Sequence, residues 1–147
     1  MRIKGLKPTV LVLVAGALTV ASPALAGDEE ALFGKKYHSV SVTKDGEPKP
    51  LVKGTHLWVD FRHNDENDGV AWRAGCNYYG APIELADNIL DTGQIVGTEM
   101  ACIGDGLMRQ DRSFVRFFRR DPAWSASGRD LTLNTNRVTI ELRRRAK

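Results

Sequence analysis

Cys76 and Cys102 are the most reactive side chains this chain offers, and the only two cysteines among its 147 residues. As a nucleophile, either thiol would need a base or a nearby cation. The three histidines stand at 38, 56 and 63, and no family signature surrounds either cysteine. Neutral Gly75 and Asn77 flank Cys76, while Cys102 sits between Ala101 and Ile103, so no sequence neighbour stabilises a thiolate. As half of a zinc site they lack support, because no CxxC occurs. As a disulfide they would close a loop of 26 residues, worth about 3.5 kcal/mol in the loop-entropy model. Two buried thiols acting as small apolar residues remain the alternative. The disulfide is the expected state.

Other constellations yield less. The turn at 64–69, Asn-Asp-Glu-Asn-Asp-Gly, begins like a calcium loop, but its twelfth position is Gly75, where a bidentate Glu is required. It reads as a hairpin turn. Asp65 and Asp68 lie in that polar turn, where nothing raises a carboxyl pKa for acid–base work. No G-x-S-x-G and no Gly-rich strand-to-helix loop occurs, so serine catalysis and nucleotide binding are unsupported. Trp58 and Trp72, on adjacent strands, offer either a stacking platform for sugar or peptide or a cross-strand pair that stabilises the sheet; the pair is favoured. Arg116, Arg119 and Arg120 crowd a helix end, where the dipole favours cations, and are read as helix-end charges before a phosphate site. Arg143, Arg144, Arg145 and Lys147 are read as a solvated basic tail at 143–147 rather than a lipid contact. No catalytic residue, metal ligand or cofactor site is expected, and the chain is not expected to be an enzyme.

The N-terminus gives the compartment. Arg2, Lys4 and Lys7 precede an apolar run at 10–21, which Ser22 and Pro23 break before Ala24-Leu25-Ala26. This is the pattern of a secretory signal peptide over 1–26, cleaved between Ala26 and Gly27. The run is too short for a retained span, and Gly27 rather than Cys rules out a lipid anchor there. The expected product is exported and soluble after cleavage, extracellular or in the periplasm or cell envelope, which suits a disulfide. The leader holds three of the 21 basic side chains and none of the 18 acidic ones. Residues 27–147 are therefore neutral overall, which argues against a general nucleic-acid binder. A monomer is expected, with an unidentified envelope or protein partner.

Positioning falls mostly to strands. After a loose lead-in at 27–32, residues 37–43 alternate, with Val40 and Val42 assigned to one face. At 56–62, Leu57, Val59 and Phe61 alternate with polar positions, and 70–74 returns as the partner strand. Shorter strands are expected at 78–85 and 89–96, around the turn 86–88. One helix is expected over 105–119, with Leu107, Asp111, Phe114, Val115 and Phe118 on one stripe. The chain closes on a hairpin of Leu131 and Leu133 against Val138, Ile140 and Leu142.

The order Gly75-Cys76-Asn77, then Thr98-Glu99-Met100-Ala101-Cys102, then the helix and final hairpin, resembles the META domain of HslJ-like proteins, whose paired motifs are GCN and T-x-M-x-C. Gly34-Lys35-Lys36-Tyr37 falls where that family commonly has Gly followed by Trp, so Tyr37 is a departure. The resemblance covers most of 33–142. It implies an α+β domain, a strongly curved antiparallel β-sheet, half-barrel-like, packed against one main α-helix. It also implies an envelope protein linked to stress and antibiotic tolerance, with no assigned catalytic residues. The motif residues Gly75, Cys76, Asn77, Thr98, Met100 and Cys102 then take structural roles. Gly75 would adopt a backbone conformation closed to a Cβ, Asn77 would bond neighbouring backbone, and Met100 would fill core beside the helix. The function expected is a non-catalytic envelope or stress-related binding or stabilising protein. The rival is a secreted binding module with a defined ligand, protease-inhibitor-like or lipocalin-like, which a cavity of a few hundred Å³ would favour.

The leader reading has a direct check. N-terminal sequencing of the exported protein should begin at Gly27, and recovery of Met1 in a membrane fraction would overturn it.

Overall fold

The computed structural model describes residues 32–63 and 66–145. The leader, the Ala26–Gly27 junction, residues 27–31 of the lead-in, Asn64, Asp65 and the last two residues lie outside the described residues. Five strands come first: β1 (Lys35–Lys44), β2 (Glu47–Pro48), β3 (Trp58–His63), β4 (Asp68–Arg73) and β5 (Tyr78–Ala86). Then follow β6 (Ile89–Thr92), β7 (Val96–Gly97) and the helix α1 (Leu107–Phe118). The chain ends with β8 (Ala123–Ser127), β9 (Asp130–Asn134) and β10 (Val138–Arg144).

Eight of these strands form a closed antiparallel barrel in the order β1-β3-β4-β5-β6-β8-β9-β10, with β10 pairing back onto β1. The half-barrel expected from the resemblance is thus corrected to a closed one. Closure rests on the length of β1. Its first residues, Lys35 to His38, pair with β3, while Tyr37 to Lys44 pair with β10. The register slips between Ser39 and Ser41, a bulge that gives this strand its local bend. The bulge also corrects the expected face: Val40 is 60% exposed, whereas Val42 packs on the core.

Eight strands enclose a space that side chains can just fill. Here Tyr37, Val59, Phe61, Trp72, Leu133 and Ile140 are buried and fill it. The alternating segments at 57–61, 131–133 and 138–142 place their apolar sets inward as the sequence indicates. At the turn 86–88, Asp87 (φ 50°) and Asn88 (φ 61°) both adopt left-handed backbone, which suits a two-residue hairpin loop between β5 and β6. The expected strand at 89–96 divides into β6 and β7, because Gly93 crosses Pro82: a Cβ there would lie 2.8 Å from the proline ring. The sequence pattern names no strand at 123–127. There β8 buries Trp124 and takes its pairing from β9, with only Ala123 matched to β6.

Residues 93–122, which carry α1, leave and re-enter the barrel at one end, beside the loops 49–57 and 74–77. The helix lies across that end and buries Phe114, Phe117 and Phe118. Phe118 stacks on Trp72 with ring centroids 4.0 Å apart. At the opposite end the fully buried Leu32 joins the same core. Phe118→Ala should therefore cost about 3–5 kcal/mol in a urea unfolding titration. Val40→Ala, on the outward bulge, should stay within about 0.5 kcal/mol. Equal losses would refute this assignment of faces.

Candidate functional site

The motif residues converge on one buried carboxylate that the sequence reading placed on the helix stripe without a role. Asp111, on α1, is fully buried. Its Oδ1 accepts the backbone N–H of Gly75 at 2.7 Å, and its Oδ2 accepts those of Cys76 at 3.3 Å and Asn77 at 3.1 Å. Three successive N–H groups turned onto one anion form a backbone nest. Gly75 is required here by close approach, not by an unusual φ. A Cβ would stand 2.6 Å from Asp111 Oδ1 and 2.8 Å from the Leu107 carbonyl oxygen, which corrects the conformational role expected for it.

Asn77 joins the two motifs and is itself buried. Its Nδ2 donates to the Met100 carbonyl and to Asp111 Oδ2, each at 3.3 Å. Its Oδ1 accepts the Met100 N–H at 2.8 Å and the Thr98 hydroxyl at 2.9 Å. Thr98 Oγ1 in turn accepts the Tyr78 N–H at 3.1 Å. The disulfide Cys76–Cys102, with Cα atoms 6.0 Å apart, closes the same cluster. Met100 is corrected: its backbone makes the contacts, and its side chain is 45% exposed rather than in the core. Cys76, Cys102 and Asp111 bring their ligand atoms within 4.8 Å of one another. With both sulfurs bonded to each other, neither is a thiolate ligand or a nucleophile. The cluster holds structure.

Other candidates fall apart in space. Trp58 and Trp72 project from opposite faces, since Trp58 is registered with Arg73 and Val59 with Trp72. Trp72 is buried against Phe118 and Tyr79, while Trp58 lies outside beside Lys36 and Tyr78. They form neither a platform nor a cross-strand pair. In the acidic turn, Asp68 pairs with His63 at 2.6 Å. The solvated tail expected at 143–147 is corrected, because Arg143 and Arg144 are β10 residues registered with His38 and Tyr37 of β1. Arg143 pairs with Asp130 and holds that carboxyl below its usual range. Among the described residues no helix is long and apolar enough to cross a membrane.

A groove of about 630 Å³ runs between α1 and the barrel rim. One wall is a stripe of helix and post-helix residues: Arg109, Ser113, Arg116 and Arg120. The other is Val42, Lys44, Arg137 and Val138 from β1 and the β9–β10 turn, with Lys49 to Val52 at one end. That end wall is held to the helix by Gln110. Its Oε1 accepts the Val52 N–H at 2.7 Å, while Nε2 donates to Thr55 Oγ1 at 2.9 Å and to the Ala74 carbonyl at 2.5 Å. Phe114 and Phe117 supply an apolar floor. Six cations line the groove, and among the described residues no Asp or Glu does. Arg116 and Arg120 were legible only as helix-end charges; Arg119 lines a more open cleft beside α1 with Met100 and Met108, and Arg116 borders both. Sequence reasoning missed the groove because its lining comes from three separate stretches of chain, at 42–52, 106–120 and 135–138.

Residues 30–147 match the family model of the META domain. No curated protein matches the sequence. Among solved structures, an NMR structure of a protein from Burkholderia xenovorans is similar, with TM-score 0.68 and 17% identity, covering 96% of this chain and all of that one. A second NMR structure is similar at TM-score 0.59 and 19% identity, over 78% of this chain and 92% of that one. At such identities the likeness is one of fold.

The nest gives a sharp expectation. Asp111→Asn keeps the shape but turns an amide toward backbone donors, and should cost about 2–4 kcal/mol in chemical unfolding. Reduction of the disulfide should cost a similar 2–4 kcal/mol. Mass spectrometry of the unreduced protein with iodoacetamide should show no alkylation; rapid modification of two thiols would reopen cysteine chemistry.

Proposed function

The chain belongs to the META domain family, and from that premise we propose a non-catalytic, exported envelope protein that works by holding a ligand in the groove beside α1. The single observation that carries this reading is the groove itself. At about 630 Å³ it lies within the roughly 300–1,000 Å³ typical of small-molecule sites. Its end wall is braced by Gln110 before any ligand arrives, which lowers the ordering cost of binding. A ligand-binding module therefore explains more of the surface than a purely stabilising role.

The barrel interior supports the same choice by contrast. A lipocalin-like protein would hold its ligand inside the barrel, but here Trp72, Phe61, Tyr37 and their neighbours occupy that space. Export rests on the leader pattern, and the Cys76–Cys102 disulfide fits an oxidising compartment. A role under stress follows from the family resemblance.

Ser113 stands half-buried in the groove wall. Ser113→Trp should fill the groove and leave the nest intact. Protein incubated with envelope extract, repurified and examined by native mass spectrometry should carry a small-molecule adduct in the wild type and lose it in S113W. A wild-type protein without an adduct would count against the reading.

A further inference from the structure

Resting on that binding reading, we infer that the groove takes an anionic amphiphile: one alkyl or acyl chain ending in a phosphate or carboxylate. Two features of the groove make two separate demands. The lining between the cations is apolar, with the partly buried Val42, Leu51 and Val138 packed on the core that holds Phe114 and Phe117. A bare inorganic anion has no use for such a lining, whereas a hydrocarbon chain gains by removing it from water.

The rim is cationic in a way the rest of the protein is not. Residues 27–147 are electrically neutral, with 18 basic and 18 acidic side chains, yet Lys44, Lys49, Arg109, Arg116, Arg120 and Arg137 share this one groove. Arg137 is committed to Asp45, through contacts of 2.6 and 2.8 Å that hold the Asp45 carboxyl below its usual range. Arg116 hydrogen-bonds the Ser113 hydroxyl and pairs with no carboxylate among the described residues. Lys44 also acts on the Asp45 carboxyl, while Lys49, Arg109 and Arg120 make no ion pair among the described residues. Four cations, Lys49, Arg109, Arg116 and Arg120, thus face one concave surface with no ion-pair partner among the described residues, and a cleft with low-dielectric walls concentrates their field. Arginine is suited to forked hydrogen bonding of carboxylate or phosphate oxygens. A neutral amphiphile would leave these cations crowded and uncompensated. An extended polyanion would match them but leave the floor unused.

The test is a ¹⁵N–¹H NMR titration of the mature protein with three probes below their micellar concentrations: dodecyl phosphate, inorganic phosphate and dodecyl maltoside. Dodecyl phosphate should shift the amides of Leu51, Ser113, Phe117 and Val138 saturably, with affinity at least tenfold above either other probe. The double variant R109E/R120E changes only exposed side chains and should weaken dodecyl phosphate at least tenfold while the amide spectrum of the folded protein is retained. S113W should block it sterically, an independent check should the charge variant misfold. Equal binding of inorganic phosphate would overturn the proposal in favour of a bare anion site, and equal binding of dodecyl maltoside in favour of a merely apolar one. If dodecyl phosphate does not bind while wild-type protein still takes an S113W-sensitive adduct from envelope extract, the ligand class is wrong and the binding reading survives. If neither is seen, both fall.

Discussion

The carboxylate of Asp111, sunk in the N–H groups of Gly75, Cys76 and Asn77, is the contact on which the remaining geometry depends. Burying a charge costs several kcal/mol, and it is tolerable only where charge-assisted hydrogen bonds replace water. Here three backbone donors and the Asn77 amide do so. These bonds are directional, so α1 can sit on the barrel end in one position only. From that position follow the stacking of Phe118 on Trp72, the reach of Gln110 to the 49–57 loop and the width of the groove. The negative Asp111 is also felt at Tyr79, whose hydroxyl is pushed up from its ordinary pKa by burial first and by that charge second.

The disulfide and Asn77 act on the same place from the other side. Cys102 and Met100 belong to the long connection from β7 to α1, which makes few ladder bonds of its own. Asn77 supplies the missing backbone partners at Met100, and the Cys76 link removes conformational freedom from the unfolded loop. The two motifs are therefore a single fastening, spread over 28 residues of chain. Its members need not touch a ligand for their types to matter.

How much of this was legible varies with the kind of signal. Period-two alternation placed Leu57, Val59, Phe61, Leu131, Leu133, Ile140 and Leu142 inside, because a strand with one wet face has only one sensible register. The same signal failed at Val40, where a bulge reversed the face, since a one-residue slip leaves composition unchanged. Barrel closure was not legible either: it depends on β1 pairing with two partners, and a strand's length reveals no second partner. Asp111 was visible as a polar break in an apolar stripe. Its meaning required knowing that the GCN turn would arrive above it, 34 to 36 residues away in sequence. The strand β8 gave too few residues and too many serines to outweigh the proline before it.

Charge tells the same story at the scale of the surface. The helix dipole accounts for cations near the end of α1, so a local argument explained Arg116 and Arg120 completely and asked nothing more of them. Folding adds what the local argument lacks. The rim strands bring Lys44 and Arg137 from opposite ends of the described chain, and the 49–52 wall adds Lys49. On the strands and their turns cations meet compensating acids, as Arg137 does Asp45 and Arg143 does Asp130. Around the groove that compensation stops at one pair, although the protein has acids to spare elsewhere. The barrel interior is filled by side chains, and with six of its 18 basic side chains at the groove the remainder of 27–147 is net negative. The uncompensated cations over the phenylalanine floor are thus where this fold departs furthest from what its own stability requires.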